Sequence, residues 1–151
     1  MSMVRELGAG LSGLEQLKAL ISSGRRPGIA VSLDFTLSEV ADGTAVFTGT
    51  PGQHAYNPIG MVHGGYAATL LDSACGCAVH TQLSAKQSYT TLELKVAYHK
   101  AITDSTGPLR AEGRVVTMGR RVAFAEGRLV DAAGKLYASA TSTLLVIENE
   151  R

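Results

Sequence analysis

The spacing of apolar positions changes several times along the chain, and each change marks an element. Leu14, Leu17, Leu20 and Ile21 recur at helical spacing, and Ser12 with Glu15 forms a capping box ahead of them. A short amphipathic helix over about 12–22 follows, closed by Ser23-Gly24 and Pro27-Gly28. Val31, Leu33, Phe35 and Leu37 then alternate with Ser32, Asp34, Thr36 and Ser38, which predicts a half-buried strand. Asp42-Gly43 marks a hairpin turn, and the chain returns from Thr44 to Thr50 before Pro51-Gly52 closes the strand. After Asn57-Pro58 and Gly60 the period changes completely. From Gly64 to about Leu83 the chain lacks proline and is rich in Ala, Leu and small residues, which predicts one long buried helix, apolar on most sides.

The remainder reads as strands. Thr90–Ala101 places Leu92, Leu94, Val96 and Tyr98 on one face, and the stretch from Asp104 to Pro108 turns the chain. Leu109–Met118, Val122–Val130 and Lys135–Ile147 follow, the last two joined by Asp131-Ala132-Ala133-Gly134. Short connections predict four antiparallel strands in a meander. One apolar helix with one curled antiparallel sheet of about six strands is an α+β layer architecture. One sheet face cannot cover a helix that is apolar all round, so an oligomer is expected.

At 151 residues the chain is expected to form a single domain, residues 1–151. A net charge of +1 gives no electrostatic reason to expect nucleic acid or a membrane as partner. No apolar run reaches the length of a transmembrane helix and no secretory signal pattern opens the chain, so the expected location is cytoplasmic. Gly8 to Gly13 formally matches G-x-G-x-x-G, but a dinucleotide site needs a preceding strand and a βαβ unit, and the pattern offers neither. Cys75 and Cys77 point about 200° apart on a helix and cannot bridge each other. Together with His80 they do not converge on an ion either, so no metal site is expected.

Two features of the long helix carry candidate chemistry. Gly64 and Gly65 leave unobstructed N–H groups at its start, a candidate oxyanion site. Asp72 is a lone carboxylate in an apolar helix, which is costly unless it is paired, hydrogen-bonded or used. Eight residues separate Gly64 from Asp72, about 12 Å along the axis, so one carbonyl group meets both only if they come from different chains. A two-fold dimer with antiparallel central helices would build two such composite sites. Read from the residues alone, Asp72 could equally be a structural carboxylate, His63 a helix-start residue and Asn57 a turn former.

The string Asn57-x5-His63-Gly64-Gly65-x6-Asp72 closely resembles the active-site segment of hotdog-fold acyl-CoA thioesterases, in the phenylacetate-pathway branch. The resemblance continues in Thr91-Leu92-Glu93-Leu94-Lys95-Val96-Ala97-Tyr98 and in Gly119-Arg120-Arg121-Val122-Ala123-Phe124, and covers roughly residues 30–148. It implies a hotdog homodimer, often paired again into a tetramer, that hydrolyses acyl-CoA to free acid and coenzyme A without a cofactor. It implies Asp72 as nucleophile or general base, the Gly64 N–H as oxyanion donor, Asn57 and His63 as groups shaping that site, and Thr91 as the group positioning the carboxylate or the water. Gly65, Arg120 and Arg121 are candidate substrate or coenzyme contacts, the arginines as a phosphate grip. Two alternatives accompany this reading: a hotdog hydratase or dehydratase, whose His–carboxylate motif is not found here, and a non-catalytic acyl-CoA-binding protein.

Overall fold

The computed structural model describes residues 2–150. Three helices open the chain: α1 (Met3–Gly8), α2 (Gly13–Ser23) and α3 (Gly28–Leu33). The predicted capping box is formed, with the Ser12 hydroxyl accepting from the Glu15 N–H and the Glu15 carboxylate accepting from the Ser12 N–H. Strands β1 (Phe35–Ala41) and β2 (Thr44–Gly49) make the expected hairpin. The central helix α4 (Gly64–His80) follows a 3₁₀ turn at Gln53–Ala55, and then come β3 (Gln87–Tyr98), β4 (Leu109–Met118), β5 (Val122–Asp131) and β6 (Leu136–Glu148).

Four readings of the sequence are corrected. The strand expected at Val31 begins only at Phe35, because Pro27 sets the backbone for a short helix that ends on Asp34 in a left-handed conformation (φ 57°). Ala30 is buried there while Ile29 and Val31 point outward, and six residues are too few for alternation to separate helix from strand. Helix α1 was not legible as an element at all.

The third correction concerns topology. The sheet order is β1-β2-β4-β5-β6-β3, every neighbouring pair antiparallel. Strand β3 therefore lies at the far edge beside β6 rather than beside β4, and the four strands are not a simple meander. The hydrogen bonds of the connection explain the crossing. His99 and Lys100 donate their backbone N–H groups to the Tyr137 carbonyl, and the Ile102 carbonyl accepts from Val62 just ahead of α4. Residues 99–102 are thereby tied across the start of the helix before the chain enters β4.

The sheet curls around α4, and glycines let it approach. A side chain at Gly113 would lie 2.2 Å from the Ala74 carbonyl oxygen, so β4 touches the helix backbone directly. Leu70, Leu71, Ala74, Cys75, Ala78 and Val79 are buried against the sheet. At the helix end, Gly13 donates its N–H to the Leu83 carbonyl, and the buried His80 ring bonds the Gln16 amide at 2.9 Å. Burial lowers the His80 pKa, so this link favours the neutral ring.

Contrary to expectation, α4 is not apolar all round. Gly65, Ala68, Thr69, Asp72 and Ser73 form a half-exposed stripe at three- and four-residue spacing. It is small and polar.

Gly113→Ala should destabilise the fold by about 1–3 kcal/mol or more, because backbone must move to admit the methyl group. Gly28→Ala, with nothing within 4 Å of the added carbon, should leave stability near wild type. Urea unfolding of both variants measures the contrast.

Candidate active site

The stripe on α4 carries both candidate features, two helical turns apart. Each opens into its own cavity. The helix start faces a cavity of about 490 Å³ lined by Asn57, Met61, His63, Gly64, Gly65 and Tyr98 among others. Asp72 faces a larger one of about 690 Å³ that also holds Thr91, Tyr89 and residues of the N-terminal helices. The two cavities share no lining residue. Within one chain, the candidate residues are thus brought together as two groups and not as one.

At the helix start, the loop shapes the donors. The Asn57 side-chain oxygen accepts from the N–H groups of Ile59 (3.1 Å) and Met61 (3.2 Å), which folds the turn ahead of His63. His63 is the N-cap, and its Nδ1 accepts from the Gly65 N–H at 2.7 Å. A neutral His63 in this arrangement carries its proton on Nε2. The Tyr66 N–H is taken by the His63 carbonyl at 3.0 Å. Among the described residues nothing accepts from the Gly64 N–H, which leaves it as the donor presented to the cavity at the positive end of the helix.

Tyr98, at the end of β3, is a member of this group that residue patterns did not reveal. Its hydroxyl donates to the Gly64 carbonyl at 2.7 Å, and its ring lies where a Gly64 side chain would be, 3.0 Å from the position of an added carbon. The alternation in β3 was the available signal, but it marked Tyr98 only as core or wall. It is 55% exposed.

At the other group, the Thr91 hydroxyl donates to Asp72 Oδ1 at 3.0 Å. That bond comes from the neighbouring strand β3 and orients the carboxylate, while Oδ2 has no partner among the described residues. Asp72 is therefore half-buried and singly hydrogen-bonded rather than fully satisfied. Tyr89 stands two residues before Thr91 on the same face of β3. Its ring crosses the helix at Gly76, where an added carbon would meet the hydroxyl at 2.5 Å. Burial, aided by the charges of Cys77, Asp72 and Cys75, raises the Tyr89 hydroxyl well above the usual phenol range.

Arg120 and Arg121 stand in the exposed turn between β4 and β5 and line neither cavity.

This fold and these residues define a class. Residues 59–138 match the family described as the thioesterase superfamily, and the chain belongs to that family. A protein named as an esterase from Halobacterium salinarum is 38% identical over 84 residues, which is 54% of this chain and 54% of that protein. The chain thus spans about half the length of this curated relative. Among solved structures, a phenylacetic acid degradation-related thioesterase from Ralstonia eutropha is 27% identical, with TM-score 0.75, covering 85% of this chain and 97% of that one. A thioesterase from Haemophilus influenzae shares the hotdog fold at 20% identity and TM-score 0.78, covering 91% and 92% of the two chains. No helix of the described chain is long and apolar enough to cross a membrane.

The nearby thiols are poor nucleophiles. Burial first and the Asp72 charge second push both Cys75 and Cys77 up to about 12, with Glu126 a further cause at Cys75. Because the folded state holds these protons more tightly than the unfolded chain, stability should fall as pH rises from about 9 toward 12. Iodoacetamide at pH 8 should label the folded protein far more slowly than the urea-unfolded chain, as a thiol-quantification time course would show.

Proposed function

We propose that the chain hydrolyses acyl-CoA thioesters as a homodimer, with each site composed of Asp72 from one protomer and the Gly64 helix start of the other. Thioester hydrolysis is the chemistry of the family; the substrate and the residues are our reading. The observation that carries it is the arrangement along α4: a carboxylate held at one oxygen by Thr91 and a free N–H at Gly64 lie on one stripe, two turns apart, in separate cavities. Two such helices running antiparallel bring each group opposite its complement. Strand β3 offers a long free sheet edge beside the stripe, with Leu92 and Tyr98 exposed along it, suited to pairing with a second copy. A further pairing of dimers belongs to the same reading, as do a cytoplasmic setting and the whole described chain acting as one domain.

In this scheme the thioester carbonyl oxygen accepts from the Gly64 N–H, and the helix dipole stabilises the charge that develops on it. Asp72 Oδ2 either attacks the carbonyl carbon or takes a proton from a water that does so. The tetrahedral intermediate expels the coenzyme A thiolate as the C–S bond breaks. On the general-base route the proton taken from water passes to sulfur. On the nucleophilic route a water then cleaves the acyl anhydride on Asp72, releasing the free acid, restoring the carboxylate and supplying that proton. Thr91 keeps the carboxylate aimed throughout. His63 holds the turn by occupying the Gly65 N–H, so Gly65 acts through the helix cap and shape. Asn57 sets the loop that presents both. In this scheme Arg120 and Arg121, in their exposed turn, contact the coenzyme phosphates.

Asp72→Asn should keep the fold and the bond to Thr91 yet lower kcat by about two powers of ten or more, with acyl-CoA binding much less affected. Thiol release over a panel of acyl-CoAs, alongside melting temperature, checks this. A fall in stability with activity per folded molecule preserved would make Asp72 structural. Mixing Asp72→Asn subunits with inactive Gly64→Val subunits should restore up to one site per heterodimer. No recovery after verified subunit exchange would rule out the composite site.

A further inference from the structure

The cavity that holds Asp72 extends well beyond the carboxylate, and the residues that enclose it lie mostly outside the segment shared with the family. On one side Asp72, Ser73 and residues of β3 supply a carboxylate and hydroxyls. The rest is built by residues 2–37 together with Phe47, Cys77 and His80. Leu17, Leu20, Ile21, Ile29 and Phe35 give it an aliphatic and aromatic wall. Helix α1 packs on α2, and its Met3 and Val4 also line the cavity.

Its charges are already spent. Arg25 pairs with Glu6 at 3.2 Å and Arg26 with Asp34 at 2.8 Å. His80 is tied to Gln16 and held neutral by burial. Among the described residues Asp72 is the one carboxylate lining the cavity, and the two guanidinium groups there, Arg25 and Arg26, are both paired. A second carboxylate on a ligand would gain a partner there only by displacing Glu6 or Asp34 from an arginine, and beside the aliphatic wall it would lose its water.

We propose that this chamber binds an extended, uncharged apolar acyl chain, and that α2 and α3, through Leu20, Ile21 and Ile29, set the chain length admitted. At about 690 Å³ the space lies within the range of small-molecule pockets, and much of its wall is aliphatic or aromatic. Ile29 is 54% exposed although it lines the chamber, an aliphatic side chain that a bound alkyl group would cover. The proposal rests on Asp72 acting at a thioester, because that places the carbonyl at the polar side and the chain along the wall.

The test fills the chamber from two elements with Ile21→Trp and Ile29→Trp; the second changes a half-exposed position, so folding should survive. The ratio of kcat/KM for dodecanoyl-CoA to that for acetyl-CoA should fall by about tenfold or more in both variants. Glutaryl-CoA should be a much poorer substrate of the wild type than hexanoyl-CoA. An unchanged ratio in folded variants, or glutaryl-CoA turned over as well as hexanoyl-CoA, would overturn the assignment. Binding of cis-parinaryl alcohol, an uncharged fluorescent chain that cannot be hydrolysed, provides a readout independent of hydrolysis. If the wild type hydrolyses no acyl-CoA but binds the probe, and either substitution weakens that binding by about tenfold, the catalytic reading fails and the chamber stands. If the wild type hydrolyses acetyl-CoA but neither binds the probe nor prefers longer chains, the chamber fails alone.

Discussion

Everything in this structure depends on how closely a sheet can approach the backbone of α4. At Gly113 the approach is limited only by the peptide itself, since an added carbon would fall 2.2 Å from the Ala74 carbonyl oxygen. At Gly127 an added carbon would meet Leu71 at 3.1 Å and the Cys75 sulfur at 3.3 Å. Small residues on both sides of the contact let a curled sheet wrap the helix, and that wrapping removes Leu70, Leu71, Ala74 and Val79 from water. It also decides which stripe is left over. The sheet covers one side, so Gly65, Thr69, Asp72 and Ser73 remain on the other. The packing that stabilises the helix thereby selects the face that stays open.

That division explains why the carboxylate is tolerated. A fully buried aspartate would need several donors, whereas Asp72 has one from Thr91 and a cavity beside it. The Thr91 bond spans from β3 to α4, and β3 is held at the sheet edge by its long pairing with β6. The same strand ends at Tyr98, whose hydroxyl holds the Gly64 carbonyl. One strand therefore positions both groups of the stripe, one at each end of its length. A shift of β3 against the helix would disturb both at once.

Much of this was legible in the residues, and the reason differs by element. The capping box at Ser12 and Glu15 and the strands β4, β5 and β6 are local patterns, written in a few neighbouring residues, and they form close to where the patterns place them. The position of β3 was not legible, because pairing with β6 is a long-range choice made by hydrogen bonds from 99–102 to Tyr137 and Val62. Helix α3 was misread because Pro27 and a single buried residue, Ala30, outweighed an alternation only a few residues long. The Asp72–Thr91 pair could be anticipated from the resemblance, but Tyr98 and the chamber could not. Both are made by residues distant in sequence that meet only after the N-terminal helices and β3 have taken their places.

The competition for N–H groups at the helix start sharpens what the two glycines do. A helix exposes several unsatisfied donors at its first turn, and a cleft holding them all would bind anions with little discrimination. Here the His63 ring takes the Gly65 donor and the His63 carbonyl takes that of Tyr66. Gly64 is left as the outward donor, and Tyr98 packs over it so closely that even a methyl group would press on the ring. Gly65 is constrained differently: an added carbon would lie 2.8 Å from His63 Nδ1 and push out the cap itself. The two glycines are therefore not interchangeable. One keeps a donor bare, and the other makes room for the ring that occupies its neighbour's competitor, so the directional site depends on both.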